Sequence, residues 1–543
     1  MYKKFTVFGV VLFLFLVLFV FAYSSTLLEV IPEKAIAILE LQDEEVSNKL
    51  YQLILSSAGK EKDNYIATRE EIREEVGFDI LDPLFLENIF SGGAVLSFLS
   101  ISEDGVPEVL LVLSPSDSHV FSRFIGAIET KNNLEEETSI YKGINIVSVI
   151  FPAEAELEPL ENISYAFLGD ALVIGGNLSP VKKAIEVYQG ERNSLLKNLD
   201  YQRVKTKTSQ KVDFSSLFFC LFSQELYQLL DELTEVIVED ELINTLVDSR
   251  DSLEGMGNVI MMGGYQKNQF KSYTMAELSE KYLEIFKNAN LQEMQSLSMF
   301  PKNTFFYAGS ILPLTWEEIK RDFISEEMQY DLKRNFQQVE DKIGVDIEKN
   351  IYSWFAKEIS LGLFDASAIF PKIGLIMGYI SEEKLYQNLY PILEQFTLRL
   401  GGVLFDNQYE GINYKSVSNP IFPVGYGVVG ERMVLSNGIN NIIDAQKGDV
   451  VNLNKLEEIK YMLSFPKVIS LLYIDMNSVT EIMSRFIQMT AQGTSVEVED
   501  NQNIKRKNNL DAILAELRSL KNILLWTGIE EDYFYSWLEI NYK

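Results

Sequence analysis

Two short patterns occur twice in this chain, in the same order and at nearly the same separation. Gly77-Phe78-Asp79-Ile80 returns 267 residues later as Gly344-Val345-Asp346-Ile347, and Tyr141-Lys142-Gly143-Ile144-Asn145 returns 268 later as Tyr409-Glu410-Gly411-Ile412-Asn413. Either match alone arises by chance in a chain of 543 residues. Their collinearity with two further pairs does not. Pro32-Glu33-Lys34 pairs with Pro301-Lys302-Asn303 at a separation of 269, each ahead of an apolar stretch. Tyr165-Ala166-Phe167-Leu168-Gly169-Asp170 pairs with Tyr426-Gly427-Val428-Val429-Gly430-Glu431. Solenoid repeats run to roughly 20–50 residues, so a unit this long is a domain. The chain is therefore expected to write one architecture twice, as a first repeat over 27–290 and a second over 296–543, meeting near 288–298.

Within each half, apolar residues alternate between the period of a strand and that of a helix. Residues 35–41 open as a strand, and 44–57 follow as a helix with Val46, Leu50, Leu53 and Ile54 on one face. Residues 94–101 and 109–113 read as strands joined through Glu103-Asp104-Gly105. A helix over 116–129 is striped by Val120, Phe121, Phe124, Ile125 and Ile128, with Ser116 or Asp117 as its cap. Strands follow at 144–150, 163–168 and 171–174, the last two joined as a hairpin by Gly169-Asp170. A helix at 180–188, a strand at 212–222, a helix at 225–251 and strands near 258–264 and 270–278 complete the half. The second half keeps that order at 468–473, 479–492, 522–527 and 533–541, and 508–521 reads as a late helix. Adjacent strands on short turns give mostly antiparallel sheets packed with helices. The fold class is α+β, in two tandem homologous domains.

These motifs resemble a bacterial family. An opening strand after proline, a Gly-x-Asp-Ile segment and a Tyr-x-Gly-Ile turn recur, and the first half adds a hairpin from Ile163 to Gly175 that leads into Val181-Lys182-Lys183-Ala184-Ile185. Together they are similar to the family known only as domain of unknown function 3352, over most of the chain and in two copies. The second copy departs from the pattern, with Ser436-Asn437-Gly438 where the first has Gly175-Gly176-Asn177. The resemblance implies one N-terminal membrane anchor and a large extracytoplasmic body. It brings no activity and no functional residues.

The N-terminus agrees with that. After a tail at 1–4 containing Lys3 and Lys4, residues 5–23 carry no charge. As a helix of about 1.5 Å per residue they span roughly 28 Å, close to the hydrocarbon thickness of a bilayer. Signal-peptide cores are usually shorter, about 7–15 residues, so the segment reads as an uncleaved transmembrane signal anchor. Ala22-Tyr23-Ser24 keeps a cleaved signal peptide open as the competing reading. The lysines would hold the tail in the cytoplasm and place the body outside, single-pass on the cell membrane.

Composition removes several function classes. The chain has 48 Lys+Arg against 79 Asp+Glu, a net charge of −31, so it lacks the basic face that nucleic acid needs. One His and one Cys exclude thiolate zinc ribbons, His-rich zinc sites and intramolecular disulfides. Gly425-Tyr426-Gly427-Val428-Val429-Gly430 spells a dinucleotide fingerprint. That site needs a helix beginning within it, and 432–435 reads as another strand. His119 has Asp117 and Ser118 beside it, but neighbours on one helical turn cannot form a triad. Cys220 lies in an apolar strand, where cysteine acts as a small hydrophobe. The acidic runs at Glu135-Glu136-Glu137 and at Glu154, Glu156, Glu158 and Glu161 lack the glycine and ligand spacing of a calcium loop and read as solvated loops. Gly77-Asp79 and Gly344-Asp346 each follow a helical stretch, so the glycine closes a helix and the aspartate caps the next turn. Lys505-Arg506-Lys507 is a small basic surface patch.

No catalytic, cofactor-binding or metal-binding residue is assigned by the sequence, and no cofactor. The expected function is a membrane-anchored binding or scaffold protein of the cell envelope. Its partners would be the membrane, through the N-terminal helix, and an envelope protein or a lipid ligand. The alternative is an extracytoplasmic hydrolase built on two carboxylates, which converge in space from positions the sequence cannot select.

Overall fold

Alternating apolar residues between turn residues form the strands, and both faces of each sheet gather helices. The computed structural model describes residues 25–41, 92–102, 106–132, 134–151, 162–214, 216–235, 256–280, 294–312, 315–323, 326–343, 355–367, 370–399, 401–418, 423–493 and 517–543, with isolated positions between them. The chain divides into two compact units, Met1–Glu277 and Leu278–Lys543.

The first unit carries strands β1 (Ala37–Leu41), β2 (Ala94–Ile101), β3 (Pro107–Leu113), β4 (Glu135–Tyr141), β5 (Ile144–Ile150), β6 (Asn162–Leu168), β7 (Ala171–Gly175), β8 (Leu217–Leu221), β9 (Met256–Gln266) and β10 (Gln269–Leu278). Its helices are α1 (Ser118–Asn132), α2 (Leu178–Tyr188), α3 (Leu199–Ser209) and α4 (Ser223–Glu235). Antiparallel pairing gives the order β4-β5-β6-β7-β3-β2-β1-β8-β9, and β10 pairs with β9. Period-two alternation sorts the side chains by face. Pro180 and Val181 of α2 lie over Gly175, and Tyr201 of α3 meets the Phe218 ring edge-on at 6.0 Å. On the opposite face Phe121 of α1 meets Tyr165 edge-on at 5.2 Å, and Leu226 and Leu229 of α4 pack with Phe98 and Leu221.

The second unit carries β11 (Thr304–Ile311), helices α5 (Trp316–Phe323) and α6 (Glu326–Ile343), β12 (Phe355–Phe364), β13 (Lys372–Tyr379), α7 (Glu382–Arg399), β14 (Val403–Tyr409), β15 (Ile412–Ser418), β16 (Val424–Val429) and β17 (Arg432–Ser436). It ends with α8 (Ile439–Lys447), α9 (Glu457–Leu463), β18 (Val468–Asp475), α10 (Met476–Gly493), β19 (Leu520–Glu530) and β20 (Tyr533–Tyr542). Its antiparallel order is β14-β15-β16-β17-β13-β12-β11-β18-β19-β20, the order of the first unit.

The repeated motifs make the same structures. Lys142 and Gly143 have φ of 50° and 80°, and Glu410 and Gly411 have 51° and 79°. Positive φ at both central residues is the type I′ turn, whose twist suits the strands it joins. The tyrosine then docks the hairpin on a helix. Tyr141 Oη donates to Glu186 of α2 at 2.6 Å, and Tyr409 bonds Asp444 of α8. Gln189 and Lys447, three residues beyond those acids, donate to the carbonyls of Lys142 and Glu410. The prolines bridge Pro32 to Ser194 and Pro301 to Asn452, and the N–H groups of Leu195 and Leu453 donate to the carbonyls of Ile31 and Phe300, each at 2.8 Å. One strand-to-helix contact is kept with different chemistry. Glu108, second in β3, pairs with Lys183 of α2, whereas Lys372 opens β13, bonds the Asn441 amide of α8 at 3.1 Å and pairs with Asp365 at 2.9 Å.

Several expectations change. Glu135-Glu136-Glu137 lies on β4, not on a loop. β8 starts at Leu217, not at 212, and α3 ends at Ser209 ahead of it. The late helix does not reach 521, because Leu520 already starts β19. The expected anchor at 5–23, the helix at 44–57, and Gly77 and Gly344 lie outside the described residues. Asp79 and Asp346 are described, and their carbonyls accept from the N–H groups of Asp82 and Asn350. Among the described residues no helix is long and apolar enough to cross a membrane.

Candidate functional site

The residues that the sequence singles out stay apart in space. Gly425 and Gly427 lie inside β16, and the Gly430-Glu431 turn leads straight into β17. The next helix, α8, starts only at Ile439. A Cβ on Gly425 would meet Ile439 at 2.8 Å, and one on Gly427 would meet Tyr414 at 2.8 Å, so these glycines admit a helix and a ring. His119 is exposed in the first turn of α1, where its backbone N–H donates to Asp117 Oδ1 at 2.9 Å. Asp117 thus serves as the helix cap. Cys220 is fully buried in β8, and burial pushes its thiol pKa well up, which leaves no thiolate to react. Glu154, Glu156, Glu158, Glu161 and Lys505-Arg506-Lys507 lie outside the described residues. Among the described residues no group of three His, Cys, Asp or Glu is placed to hold a metal.

Besides the Glu358–Arg432 pair of the second unit, 3.0 Å apart with Glu358 3% exposed, two clusters of ionisable groups were not legible in the sequence. In the first, Glu40 of β1 is 2% exposed and accepts from Tyr201 Oη at 2.6 Å and Lys205 Nζ at 2.7 Å. The lysine ammonium also lies over the Tyr201 and Phe218 rings, 5.0 and 5.2 Å from their centroids. Burial, then the charge of Glu40, pushes the Tyr201 phenol far up. Every polar group in this cluster has a partner, which makes it a structural tie between sheet and helix.

The second cluster sits where α1 crosses β4 and β5. Glu129 and Glu136 face each other there, above Tyr165. Glu129 Oε1 is sealed from water, and with both groups ionised it has no donor. A proton on Glu129 would supply the hydrogen bond to Glu136. Burial first, and Glu136 second, push the Glu129 carboxyl up, while burial and both acids raise the Tyr165 phenol to about 12. The second unit fills the same place differently, because Lys415 occupies the β15 position opposite Tyr426 and pairs with Glu394 of α7 at 2.7 Å. Val147 occupies that position opposite Tyr165.

The third candidate is apolar. In the second unit α7 covers β13 to β17 through Leu385, Leu389 and Tyr390, which pack with Tyr426, Met433 and Met377. On the same face α10 covers β11, β18 and β19. β12 lies between the two covered areas, with Ile359 and Leu361 each 38% exposed although the strand is paired on both sides. Cross-strand neighbours extend this floor to Leu375 and Met377 on β13 and to Ala308 on β11. The chain between β11 and β12 forms α5 and α6, and α6 exposes Met328 and Tyr330. Exposed apolar side chains at the centre of a sheet can seat an apolar chain. A further depression of about 470 Å³ is wide open and lined by α3 and the adjoining Gln210.

The family described as Protein of unknown function (DUF3352) matches residues 91–493. No curated protein matches the chain. Two crystal structures of TP0453 are similar at 12% identity. Form I aligns over 50% of this chain and 87% of its own at a TM-score of 0.25, and form IV over 48% and 85% at 0.23. Scores this low carry no argument about fold or function.

Proposed function

The chain belongs to the DUF3352 family, and from its geometry we propose that it is a binding protein of the bacterial cell envelope that holds an apolar, lipid-like chain. The body would stand outside the membrane, tethered by the uncharged segment at 5–23, with its N-terminus in the cytoplasm. We read the two units as tandem homologous domains, which the shared strand order, turns and hairpin clamps support. The observation that carries the function is the floor of β12, where Ile359 and Leu361 keep 38% exposure at the centre of a sheet. A central strand normally buries such residues, so a site that leaves them open is a place for an acyl chain.

Native mass spectrometry of the body from Ser25 onward, purified from its own envelope, tests this. An added lipid mass on the wild-type protein, lost in Leu361→Glu, is the expected result. A clean apo mass, together with no binding of a fluorescent fatty acid, would overturn it. Glu129 and Glu136 favour the second reading, a carboxylate hydrolase, because one acid is pushed up beside another. Glu136 stands exposed on β4, where a substrate would not be shielded from water. Turnover of an envelope glycan that Glu129→Gln abolishes would carry that reading.

A further inference from the structure

β4 and β14 hold the same place in the two units, the outermost position of the sheet, and their surfaces differ in kind. Among the described residues each pairs on one side only, β4 with β5 and β14 with β15. On β4 the row Glu135, Glu136 and Glu137 is exposed, followed toward the turn by Thr138 and by Ile140 at 73% exposure. A row of charge on an edge strand prevents another strand from adding to it. On β14 the residues that correspond to Glu135 and Glu137 are Val403, 55% exposed, and Phe405, 50% exposed. The type I′ turn fixes which backbone groups face outward. Tyr409 and Ile412 close the hairpin as a hydrogen-bonded pair, so Phe405 and Asn407 bond inward to β15, while Leu404, Asp406 and Gln408 present N–H and C=O to the open edge.

We propose that this edge is a self-association surface, on which β14 of a second copy of the chain pairs antiparallel about a two-fold axis through Phe405. The register follows from the side chains. Only axes on a residue bring outward-facing groups together, and an axis on Asp406 would set two aspartates directly opposite each other. The axis on Phe405 places Phe405 against its symmetry mate in a non-hydrogen-bonded pair, where side chains approach closest, and Asp406 against the second copy's Leu404. Aromatic pairs at such positions favour pairing, and the two-fold contact closes on itself. The overlap is Val403–Asn407, short of the roughly 1,000 Å² of a strong interface, so the dimer is weak and concentration-dependent. Two chains of net charge −31 repel, so salt strengthens it.

The test is oxidative cross-linking of the full-length chain in its own membranes with Phe405→Cys, beside Glu137→Cys on the charged edge as control. The native Cys220 is fully buried and stays silent. In a non-hydrogen-bonded pair the Cα atoms stand about 4.5 Å apart, within reach of a disulfide. Phe405→Cys should give a disulfide dimer at least fivefold above the control. Phe405→Glu should weaken dimerisation of the detergent-extracted chain, read by light scattering, at least tenfold, and Phe405→Thr should weaken it less. Equal cross-linking at the two positions would overturn the proposal. So would a dimer that Phe405→Glu leaves unchanged.

Discussion

Glu40 shows what a single buried charge demands. It is a carboxylate on a central strand, 2% exposed, and its neighbours from α3 are a phenol and an ammonium at hydrogen-bond distance. A buried ion pair adds little over an apolar pair, but removing one partner leaves a charge without compensation. Lys205→Met should therefore destabilise the chain by about 3 kcal/mol in urea unfolding. Glu40→Gln combined with Lys205→Met should recover about half of that, because Tyr201 can still donate to the amide. If the double variant is no more stable than Lys205→Met, the loss comes from packing of the lysine stem and the charge argument fails. The second unit places its buried carboxylate elsewhere: Gly309 stands at the Glu40 place in β11 with the Tyr307 ring over it, while Glu358 of β12, 3% exposed, pairs with Arg432 at 3.0 Å and accepts from the Ser296 N–H at 2.9 Å. There Tyr307 Oη shares a hydrogen bond of 2.8 Å with Ser296.

Turns decide the elements. Gly143 and Gly411 hold φ of 80° and 79°, and a Cβ at either would meet nothing within 4 Å, so only the backbone conformation selects glycine there. Gly143→Ala should cost about 1 kcal/mol, and Gly143→Asn clearly less, because asparagine tolerates the left-handed region. Thermal unfolding of the pair checks it, and equal losses would mean that the turn is not what the substitution disturbs. The Tyr-x-Gly-Ile turn and the strand after it in the first unit were legible in the sequence, because Ile144–Ile150 is an apolar run. β4 was not, because its glutamates look like a loop and what makes it a strand is its pairing with β5. Nor was α3, whose buried residues are only Tyr201, Val204 and Thr208, too thin a stripe for a sequence pattern. The floor on β12 was hidden for a different reason. Ile359 and Leu361 alternate like any buried strand, and their exposure depends on where α7 and α10 end. Glu129 and Glu136 stand seven positions apart in sequence, and only the turn from α1 into β4 brings them together.

The whole molecule carries −31 at neutral pH, with a pI near 4.5, so repulsion works against its compact form. Individual carboxyls shape how that repulsion fades with acid. Burial pushes Glu129 and Glu225 up, Glu129 further through Glu136 and Glu225 further through Asp200. Their folded forms bind a proton more tightly than the unfolded chain does, so stability grows as pH falls through their folded values and levels off near 4.5, the ordinary glutamate value. Glu108, Glu186 and Asp365 run the other way. Bonds from Lys183 and Ser100 outweigh burial at Glu108, Tyr141 and Arg192 hold Glu186 down, and Lys372 holds Asp365 down. What these three contribute is complete above their unfolded values and is lost as pH falls through the lowered folded ones. Both groups place the optimum on the acid side of neutral, at about pH 5, with a steep loss below about pH 4. Added salt should raise the melting temperature at pH 7 by a few degrees between about 10 mM and about 0.3 M, and by less at pH 5, where there is less charge to screen. Dilute samples keep precipitation near the pI from masking the effect. A melting temperature that falls with salt at pH 7 would show that attractive ion pairs such as those around Glu108 and Glu186 outweigh the net charge, and one higher at pH 7 than at pH 5 would show that net repulsion does not set the optimum. Stability would then be set by local pairs on the sheets, and the excess of acid would serve solubility alone.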